Sequence, residues 1–279
     1  MTDSSTTSQT QPTLSEYTSS DQLGRVVTVP YPVQRIISLV PSQTELLFAL
    51  GVGEQVVGRT KFCVHPQPDI EQVQSIGGTK KFRYDVIEQL NPDLIIGNKE
   101  ENYQEGFDWL NARYAVWMSD VRTLPQAFAM IKSVGDLVGA RHKAADLLTE
   151  LQAQFDQLKP AAPPKRVAYF IWNDPKMVVG ADTFINDMLQ RCGFENPFAT
   201  ETHGRYPELT NAEIQAANLD TILLSSEPFP FTEKHLPTYQ QLAPQAQIIL
   251  TDGELFSWYG NRLLKAAPYF QHLIQTLTP

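Results

Sequence analysis

The stretch RIISLVPSQTELLFALG, residues 35–51, is typical of a buried strand, a tight turn and the first helix of an α/β fold. Mostly β-branched and aliphatic residues fill 36–40, as in a strand covered on both faces. Ser42 and Glu45 have the spacing of a capping box, and Gly51 is a usual helix stop. No G-x-S-x-G motif surrounds Ser42, so the pattern predicts a helix N-cap and not a nucleophile.

Further apolar runs follow, and most are continuous and not alternating. Such runs are typical of parallel strands with helices on both faces. The strand-like runs are 35–40, 55–59, 93–98, 114–118, 166–172, 220–225 and 247–251. Helical patterns lie between them, which predicts the α/β class.

The two halves of the chain repeat a pattern. In the first half Asp85 and Glu88 predict a helix start, and the turn NPD at 91–93 leads into a strand. In the second half Thr210 and Glu213 predict a helix start, and NLD at 218–220 again leads into a strand. The matched order predicts two lobes of one design.

Residues 124–159 keep helical apolar spacing almost throughout. Gly135 and Gly139 weaken this helix but do not stop it as a Pro would. The pattern predicts one long helix that links an N-terminal lobe, 24–123, to a C-terminal lobe, 160–279. Ligands of open α/β sheets bind beyond the carboxyl ends of the strands, so two facing lobes predict a cleft.

Residues 1–23 are polar and rich in Ser and Thr, which predicts a disordered tail without a secretory signal. The chain as written is therefore expected in the cytoplasm, or in the periplasm if the true start lies upstream. The net charge of −9 argues against nucleic-acid or anionic-membrane partners. No apolar run reaches the roughly 20 residues of a membrane span. We expect Cys63 and Cys192 to be free thiols.

Motifs for common chemistries are absent. The sequence contains no phosphate-binding loop, no G-x-G-x-x-G and no H-E-x-x-H. Cys63 and His65 are the one pair that suggests metal ligands, and a buried thiol beside a turn is the favoured interpretation. We therefore predict no catalytic residues and no metal site.

Aromatic side chains are frequent near turns and strand ends, where a cleft would be lined. The segment DGELFSWYGNR, 252–262, combines Trp258, Tyr259 and Arg262 in a stretch too broken for a long helix. Aromatic faces with a fixed cation suit a large, flat ligand with a polar rim.

Several segments together resemble a known family. RIISLVPSQTELLFALGV, NPDLIIG, the 124–159 helix and the strand before TDGE are similar to the helical-backbone solute-binding proteins of ABC importers. These bind vitamin B12, haem or iron–siderophore complexes, and the B12-binding members are the nearest. The similarity covers a domain of residues 35–279. It implies two Rossmann-like lobes with parallel sheets joined by a single long α-helix, the class III periplasmic-binding-protein arrangement, and no catalysis.

The resemblance also implies ligand contacts. Aromatic contacts of the B12-binding members match Phe62 and Tyr206, whereas two of their tryptophan positions are Thr79 and Asn98 here. The basic loop residues Lys80, Lys81 and Arg83 either face an anionic ligand or are solvated.

In the B12-binding members one carboxylate from each lobe docks on arginines of the membrane permease. Asp85 matches in the first lobe. In the second lobe the matching position is Ala212, and Glu213 follows about 100° around the helix.

The sequence therefore predicts a monomeric, non-enzymatic protein that binds a corrinoid (cobalamin), haem or a ferric siderophore between its lobes, as part of an ABC-type uptake system. The alternative is a cytoplasmic enzyme or metallocofactor-handling protein on the same scaffold. The predicted ligand-binding residues are Phe62, Lys80, Arg83, Asn98, Trp172, Tyr206, Trp258, Tyr259 and Arg262. The predicted docking residues are Asp85 and Glu213.

Overall fold

A computed structural model describes residues 15–277 of the chain. The helices are α1 (Pro41–Ala49), α2 (Tyr84–Leu90), α3 (Gln104–Asn111), α4 (Leu124–Leu137), α5 (Arg141–Asp156), α6 (Phe184–Arg191), α7 (Asn211–Ala216), α8 (Leu236–Leu242), α9 (Gly253–Ser257) and α10 (Leu263–Leu277). The strands are β1 (Ser15–Ser20), β2 (Val26–Tyr31), β3 (Ile36–Ser38), β4 (Val56–Arg59), β5 (Gln74–Ser75), β6 (Gly77–Gly78), β7 (Lys81–Phe82), β8 (Leu94–Asn98), β9 (Val116–Ser119), β10 (Lys165–Trp172), β11 (Met177–Val178), β12 (Phe194–Glu195), β13 (Thr221–Ser225) and β14 (Gln247–Thr251). Short 3₁₀ turns lie at Gly53–Gln55, Asp69–Gln72 and Glu233–His235.

Each lobe is built on a sheet of mainly parallel strands. The N-terminal sheet has the order β5-β4-β3-β8-β9 and is parallel throughout. In the C-terminal sheet β10, β13 and β14 are parallel. Strand β12 pairs parallel with the start of β10, and β11 pairs antiparallel with its end. Every residue of β3, β8, β9 and β13 is buried. All seven predicted strands are present, and the α/β class with two lobes is confirmed.

The repeat between the lobes extends to side-chain contacts. The Asp93 carboxylate accepts the backbone N–H of Arg35 at 3.0 Å, and the Arg35 guanidinium donates to the last carbonyl of α2 at 2.7 Å. In the second lobe Asp220 accepts the N–H of Arg166 at 2.7 Å, and the Arg166 guanidinium donates to the carbonyl after α7 at 3.2 Å. An equivalent Asp and Arg pair thus fixes the start of β3 in the first lobe and of β10 in the second.

Two predicted capping boxes are wrong. Helix α1 starts at Pro41, so Ser42 lies inside its first turn and caps nothing. Proline is well suited to the first helical position, which explains the earlier start. Helix α2 likewise starts at Tyr84, and Asp85 makes no cap.

The third predicted capping box is confirmed. In α7 the Thr210 hydroxyl accepts the backbone N–H of Glu213 at 3.3 Å. The Glu213 carboxylate in turn accepts the backbone N–H of Thr210 at 2.7 Å.

The predicted disordered tail, 1–23, is wrong for residues 15–23, and residues 1–14 lie outside the described chain. Strand β1 pairs antiparallel with β2, and Tyr17 packs on the main core. The buried Asp21 carboxylate accepts the backbone N–H of Leu23 at 3.0 Å and of Arg25 at 2.8 Å. Strand β1 is polar apart from Tyr17, whereas β2 shows the alternation of a half-buried strand, with Val27 and Val29 buried.

The linking segment is two helices and not one continuous helix. Helix α4 ends at Leu137, Gly139 takes a left-handed conformation with φ of 76°, and α5 begins at Arg141. The two helices pack so closely that a Cβ on Gly135 would come within 2.3 Å of the Ala144 Cβ. Helix α4 contacts β1 in one lobe and α6 in the other, so it joins the lobes.

One apolar core includes residues of both lobes and of the linking helices. It contains Leu46 and Trp117 from the N-terminal lobe, Met130 from α4, and Met188 and Phe270 from the C-terminal lobe. The lobes are therefore packed together behind the cleft. Among residues 15–277 no helix combines the length and the apolar character that a membrane span requires.

Candidate functional site

A cavity of about 610 Å³ lies between the two lobes. The N-terminal lobe and the start of α4 line it with Pro41, Ser42, Phe62, Thr79, Asn98, Glu100, Glu101 and Val121. The C-terminal lobe lines it with Ile171, Met177, Thr183, Phe184, Ile185, Tyr206, Ser225, Glu227, Pro228, Ser257, Trp258 and Tyr259. Asn98 and Ser225 end β8 and β13, so the cavity lies at the carboxyl ends of parallel strands, as expected for an open α/β sheet.

Aromatic side chains form walls on both sides of the cavity. Phe62 and Tyr206 lie at its mouth, with 50% and 38% of their surface exposed. Trp258 and Tyr259 lie deeper and are buried, and Phe184 meets Tyr259 edge to face with 5.6 Å between ring centroids. Flat apolar faces of this kind suit a ligand with a large planar or rigid core.

Three glutamates are the charged residues of the cavity wall within the described chain. Burial and the negative charges of Glu227 and Glu100 raise the pKa of Glu101 to about 7. Lys80 and the Tyr259 hydroxyl oppose that rise without cancelling it. A carboxylate of this kind is half-protonated near neutral pH.

Glu227 is held by neutral donors. Its carboxylate accepts the Ser257 hydroxyl at 2.7 Å and the Trp258 indole N–H at 3.0 Å. Burial raises the pKa of Glu227, although these hydrogen bonds oppose the rise. Glu227 thereby fixes the position of the Trp258 ring in the wall.

Glu100 connects the lobes at the mouth of the cavity. Its carboxylate accepts Arg205 Nη2 at 2.9 Å and the Tyr206 hydroxyl. Burial and the negative charge of Glu100 raise the pKa of Tyr206, so this phenol is protonated and donates. Lys80 lies at the same rim, where its Nζ donates to the Glu100 backbone carbonyl at 3.2 Å.

A second polar cluster connects the lobes beside the cavity. The buried Arg262 guanidinium donates to both carboxylate oxygens of Glu45 in α1, at 2.9 and 3.1 Å. Its third nitrogen lies 2.6 Å from Glu254, which also lies 3.5 Å from His65 Nε2. Arg262 stacks on the Trp258 ring, with its guanidinium carbon 4.6 Å from the ring centroid.

Five of the nine predicted ligand-binding residues line the cavity, and four do not. Phe62, Asn98, Tyr206, Trp258 and Tyr259 are in its wall, while Lys80, Arg83, Trp172 and Arg262 are outside it.

Three of the four residues outside the wall make other contacts. Arg83 is exposed and lies 3.9 Å from Asp85. Trp172 packs edge to face on Phe229 at 5.6 Å. Arg262 is occupied by its carboxylate partners.

Asn98 shapes the loop as well as lining the cavity. Its Oδ1 accepts the backbone N–H groups of Glu100 and Glu101 at 2.8 and 3.1 Å, and its Nδ2 donates to Ser119 Oγ at 3.0 Å. These bonds direct the two glutamates into the cleft region after β8. Both glutamates precede helix α3, which begins at Gln104, and therefore lie in the loop between β8 and α3.

Sequence reasoning did not predict Glu100 and Glu227 as cavity residues, although the repeat between the two halves could have indicated them. Glu100 follows the end of β8 by two residues, and Glu227 follows the end of β13 by two residues. The two lobes therefore place a carboxylate at equivalent positions. A comparison of the matched strands alone could have found them.

The predicted docking residues, Asp85 and Glu213, are both exposed. The Asp85 carboxylate has one distant cation, at Arg83. Hydrogen bonds from Thr210 lower the pKa of Glu213, whose carboxylate is used in the helix cap. Their role in docking stays a prediction.

The cysteine and histidine candidates do not form a metal site in the described part of the chain, where no three His, Cys, Asp or Glu side chains are grouped as metal ligands. Cys63 is buried, its sulfur lies 3.1 Å from Thr60 Oγ1, and burial raises the pKa of its thiol. His65 meets Trp258 edge to face at 5.7 Å. Cys192 is also free and buried.

Comparison with known proteins identifies a family model, described as periplasmic binding protein, that matches residues 36–250. The vitamin B12-binding protein of Pectobacterium carotovorum is 24% identical over 252 residues, which cover 88% of this chain and 90% of that protein. An uncharacterised ABC transporter substrate-binding lipoprotein of Bacillus subtilis is 27% identical over 218 residues, covering 74% and 68%.

Solved structures share the fold. The periplasmic vitamin B12 binding protein of Vibrio cholerae aligns with a TM-score of 0.72 and 20% identity, covering 88% of this chain and 98% of that one. A periplasmic haem-binding protein crystallised with two haems aligns with a TM-score of 0.76 and 21% identity, covering 87% and 98%.

Proposed function

The chain belongs to the family of periplasmic binding proteins, and from this premise we propose that it binds a corrinoid or an iron chelate in the cleft between its lobes. The family and the named relatives are substrate-binding proteins and not enzymes, so the alternative of an enzyme on this scaffold is set aside. Cobalamin, haem or a ferric siderophore would be cargo and not a catalytic cofactor.

The observation that carries the proposal is the aromatic-walled cavity at the carboxyl ends of both parallel sheets. Its volume of about 610 Å³ accommodates a macrocycle or a chelate core, with the remainder of a larger ligand projecting through the mouth. The lobes share one core behind it, which favours a site that is largely formed before binding and closes little.

The partner that fits this function is an ABC permease. Asp85 and Glu213 lie in or beside corresponding helices of the two lobes, and both are exposed. We propose that these carboxylates meet basic residues of the permease, that the protein works as a monomer in the periplasm, and that it does not bind nucleic acid. Its net charge of −9 supports the last point.

Titration calorimetry with cyanocobalamin, haem and a neutral ferric trihydroxamate tests the function, with visible absorbance as a second readout. We expect at least one class to bind with a Kd of about 1 μM or below. Phe62→Ala removes half of the mouth wall and should weaken binding roughly fivefold, as expected for a lost aromatic contact. The control Val26→Ala, at a 72% exposed position in β2, should leave the affinity unchanged.

Absence of binding by all three classes would contradict the proposal. Equal losses from Phe62→Ala and Val26→Ala would show that the ligand binds outside the cleft.

A further inference from the structure

The charged residues in the wall of the cleft are all acidic among those that the structure describes. In the described chain its wall contains Glu100, Glu101 and Glu227 and no Lys, Arg or His. Two nearby arginines are occupied, since Arg205 pairs with Glu100 and Arg262 pairs with Glu45, and Lys80 at the rim donates to the Glu100 backbone carbonyl. Only Glu100 has a cation within ion-pair distance among the three wall carboxylates.

Among the described residues Glu101 and Glu227 have no ion-pair partner, and the positive charge that reaches Glu101 is that of Lys80 at the rim. Glu227 accepts the neutral Ser257 and Trp258 donors through one oxygen, Oε1. Glu101 is half-buried, and its polar neighbour in the wall is the Tyr259 hydroxyl. Burial first, and then the negative charges of Glu227 and Glu100, raise the pKa of Glu101, so the three wall carboxylates interact in the cavity.

A third polar group, the Ser42 hydroxyl, is further evidence that a ligand binds beside Glu101 and Glu227. Ser42 lines the cavity, is only 3% exposed, and its Oγ makes no hydrogen bond within ordinary distance and angle limits. The Tyr259 hydroxyl is close enough to sense Ser42, whose hydroxyl opposes the rise in the pKa of Tyr259 that burial causes. Buried polar groups in proteins are rarely left without a partner, so a bound molecule is the natural one.

Building on the proposed function, we propose that Glu101 and Glu227 select the ligand by charge. The cleft takes chelates of zero or positive net charge that present N–H donors to these two carboxylates, and it rejects polyanionic chelates. An amide-rich or cationic ligand replaces the missing cations, and hydrogen bonds to charged acceptors are stronger than those to neutral ones. A ligand bearing carboxylates would place like charges together in a poorly solvated cavity, which is unfavourable.

The basic loop does not reverse this conclusion. Lys80, Lys81 and Arg83 are exposed and outside the wall, although Lys80 reaches the rim through the Glu100 carbonyl. The interpretation of this loop as a receptor for an anionic ligand is therefore not supported by its position.

Ligand pairs that differ only by amide and carboxylate test the proposal. One pair is cyanocobalamin and its tricarboxylate derivative, and the other is the bis-amide of haem and haem itself. Titrations at pH 8 keep Glu101 mainly ionised. In whichever class binds, we expect the amide to bind roughly ten- to a hundredfold more tightly than the carboxylate.

Isosteric variants assign the selectivity to the two residues. The double variant Glu101→Gln/Glu227→Gln keeps the hydrogen-bonding oxygens and should reduce the ratio to about threefold or less. The control Glu150→Gln, at an exposed position in α5, removes one negative charge, as each cavity substitution does. It should leave the ratio of amide to carboxylate affinity unchanged. If the double variant does not fold, Glu101→Gln alone should still reduce the ratio, since its amide oxygen can still accept the Tyr259 hydroxyl.

The outcomes separate the two proposals. Binding with equal or better affinity for the carboxylate member overturns charge selection and leaves the proposed function standing. A ratio unchanged in both Gln variants overturns the assignment to Glu101 and Glu227. No binding by any of the four ligands or by the ferric trihydroxamate overturns the proposed function and the charge selection with it.

Discussion

The contact of Arg262 with Glu45 makes a sharp prediction about how the two lobes are held together. These residues are 217 positions apart and join α1 of the first lobe to the segment before α10 in the second. Both side chains are 9% exposed, and the guanidinium makes two hydrogen bonds to Glu45, at 2.9 and 3.1 Å. Arg262→Met keeps an unbranched apolar stem and removes the guanidinium and its charge.

The variant leaves Glu45 buried without a cation, and Glu254 loses its contact at 2.6 Å. Breaking a buried ion pair in this way costs about 3–5 kcal/mol of unfolding free energy. For a chain of this size that corresponds to a drop in Tm of roughly 6–20 °C. Because Arg262 also stacks on Trp258, we expect ligand affinity to fall as well.

Urea denaturation followed by circular dichroism measures the loss. The double variant Glu45→Met/Arg262→Met replaces the pair by apolar side chains and should recover most of the stability, since such replacements are often neutral. A loss below about 1 kcal/mol for Arg262→Met, or a double variant as unstable as the single one, would refute the reasoning.

Two further predictions concern individual side chains. The folded state holds a proton on Glu101 up to about pH 7, whereas the unfolded chain releases it near pH 4.5, so the free energy of unfolding should fall as pH rises through this window. Urea titration at pH 5 and pH 8 measures this fall, and Glu101→Gln should make it smaller. An equal fall in the variant and the parent protein would contradict the raised pKa. Thr210→Ala removes a helix cap and should lower the free energy of unfolding by about 1 kcal/mol. Ser42→Ala should lower it less, because Ser42 Oγ caps no helix. The opposite order in parallel urea denaturation curves would contradict the assigned caps.

The sequence predicts the sheets of this fold well and the helical linker less well. Continuous apolar runs identified β3, β8, β10, β13 and β14 because buried parallel strands leave a strong pattern. The same apolar spacing fits one long helix or two helices folded together, so residues 124–159 could not reveal the turn at Gly139. Strand β1 is too polar for detection, but β2 was missed although Val27 and Val29 alternate with exposed residues as in a half-buried strand.

The site was only partly readable for a related reason. Loop position revealed Trp258 and Tyr259, because large aromatics at strand ends point to a cleft, and the family resemblance indicated Phe62 and Tyr206. The pairing of Arg262 with Glu45 has no local signal, since residues so far apart meet only in the folded chain. Glu101 appeared to be an ordinary solvated carboxylate, because sequence does not show which lobe faces it.

The central claim is that a metal chelate binds between the lobes, and the position of its metal tests this most directly. Crystals of the complex with the tightest-binding corrinoid or iron chelate, measured at the cobalt or iron absorption edge, locate the metal by anomalous scattering. We expect a single strong peak inside the cavity, between the Phe62 and Tyr206 rings at the mouth and Trp258 in the wall. A peak on the outer surface of either lobe would contradict it.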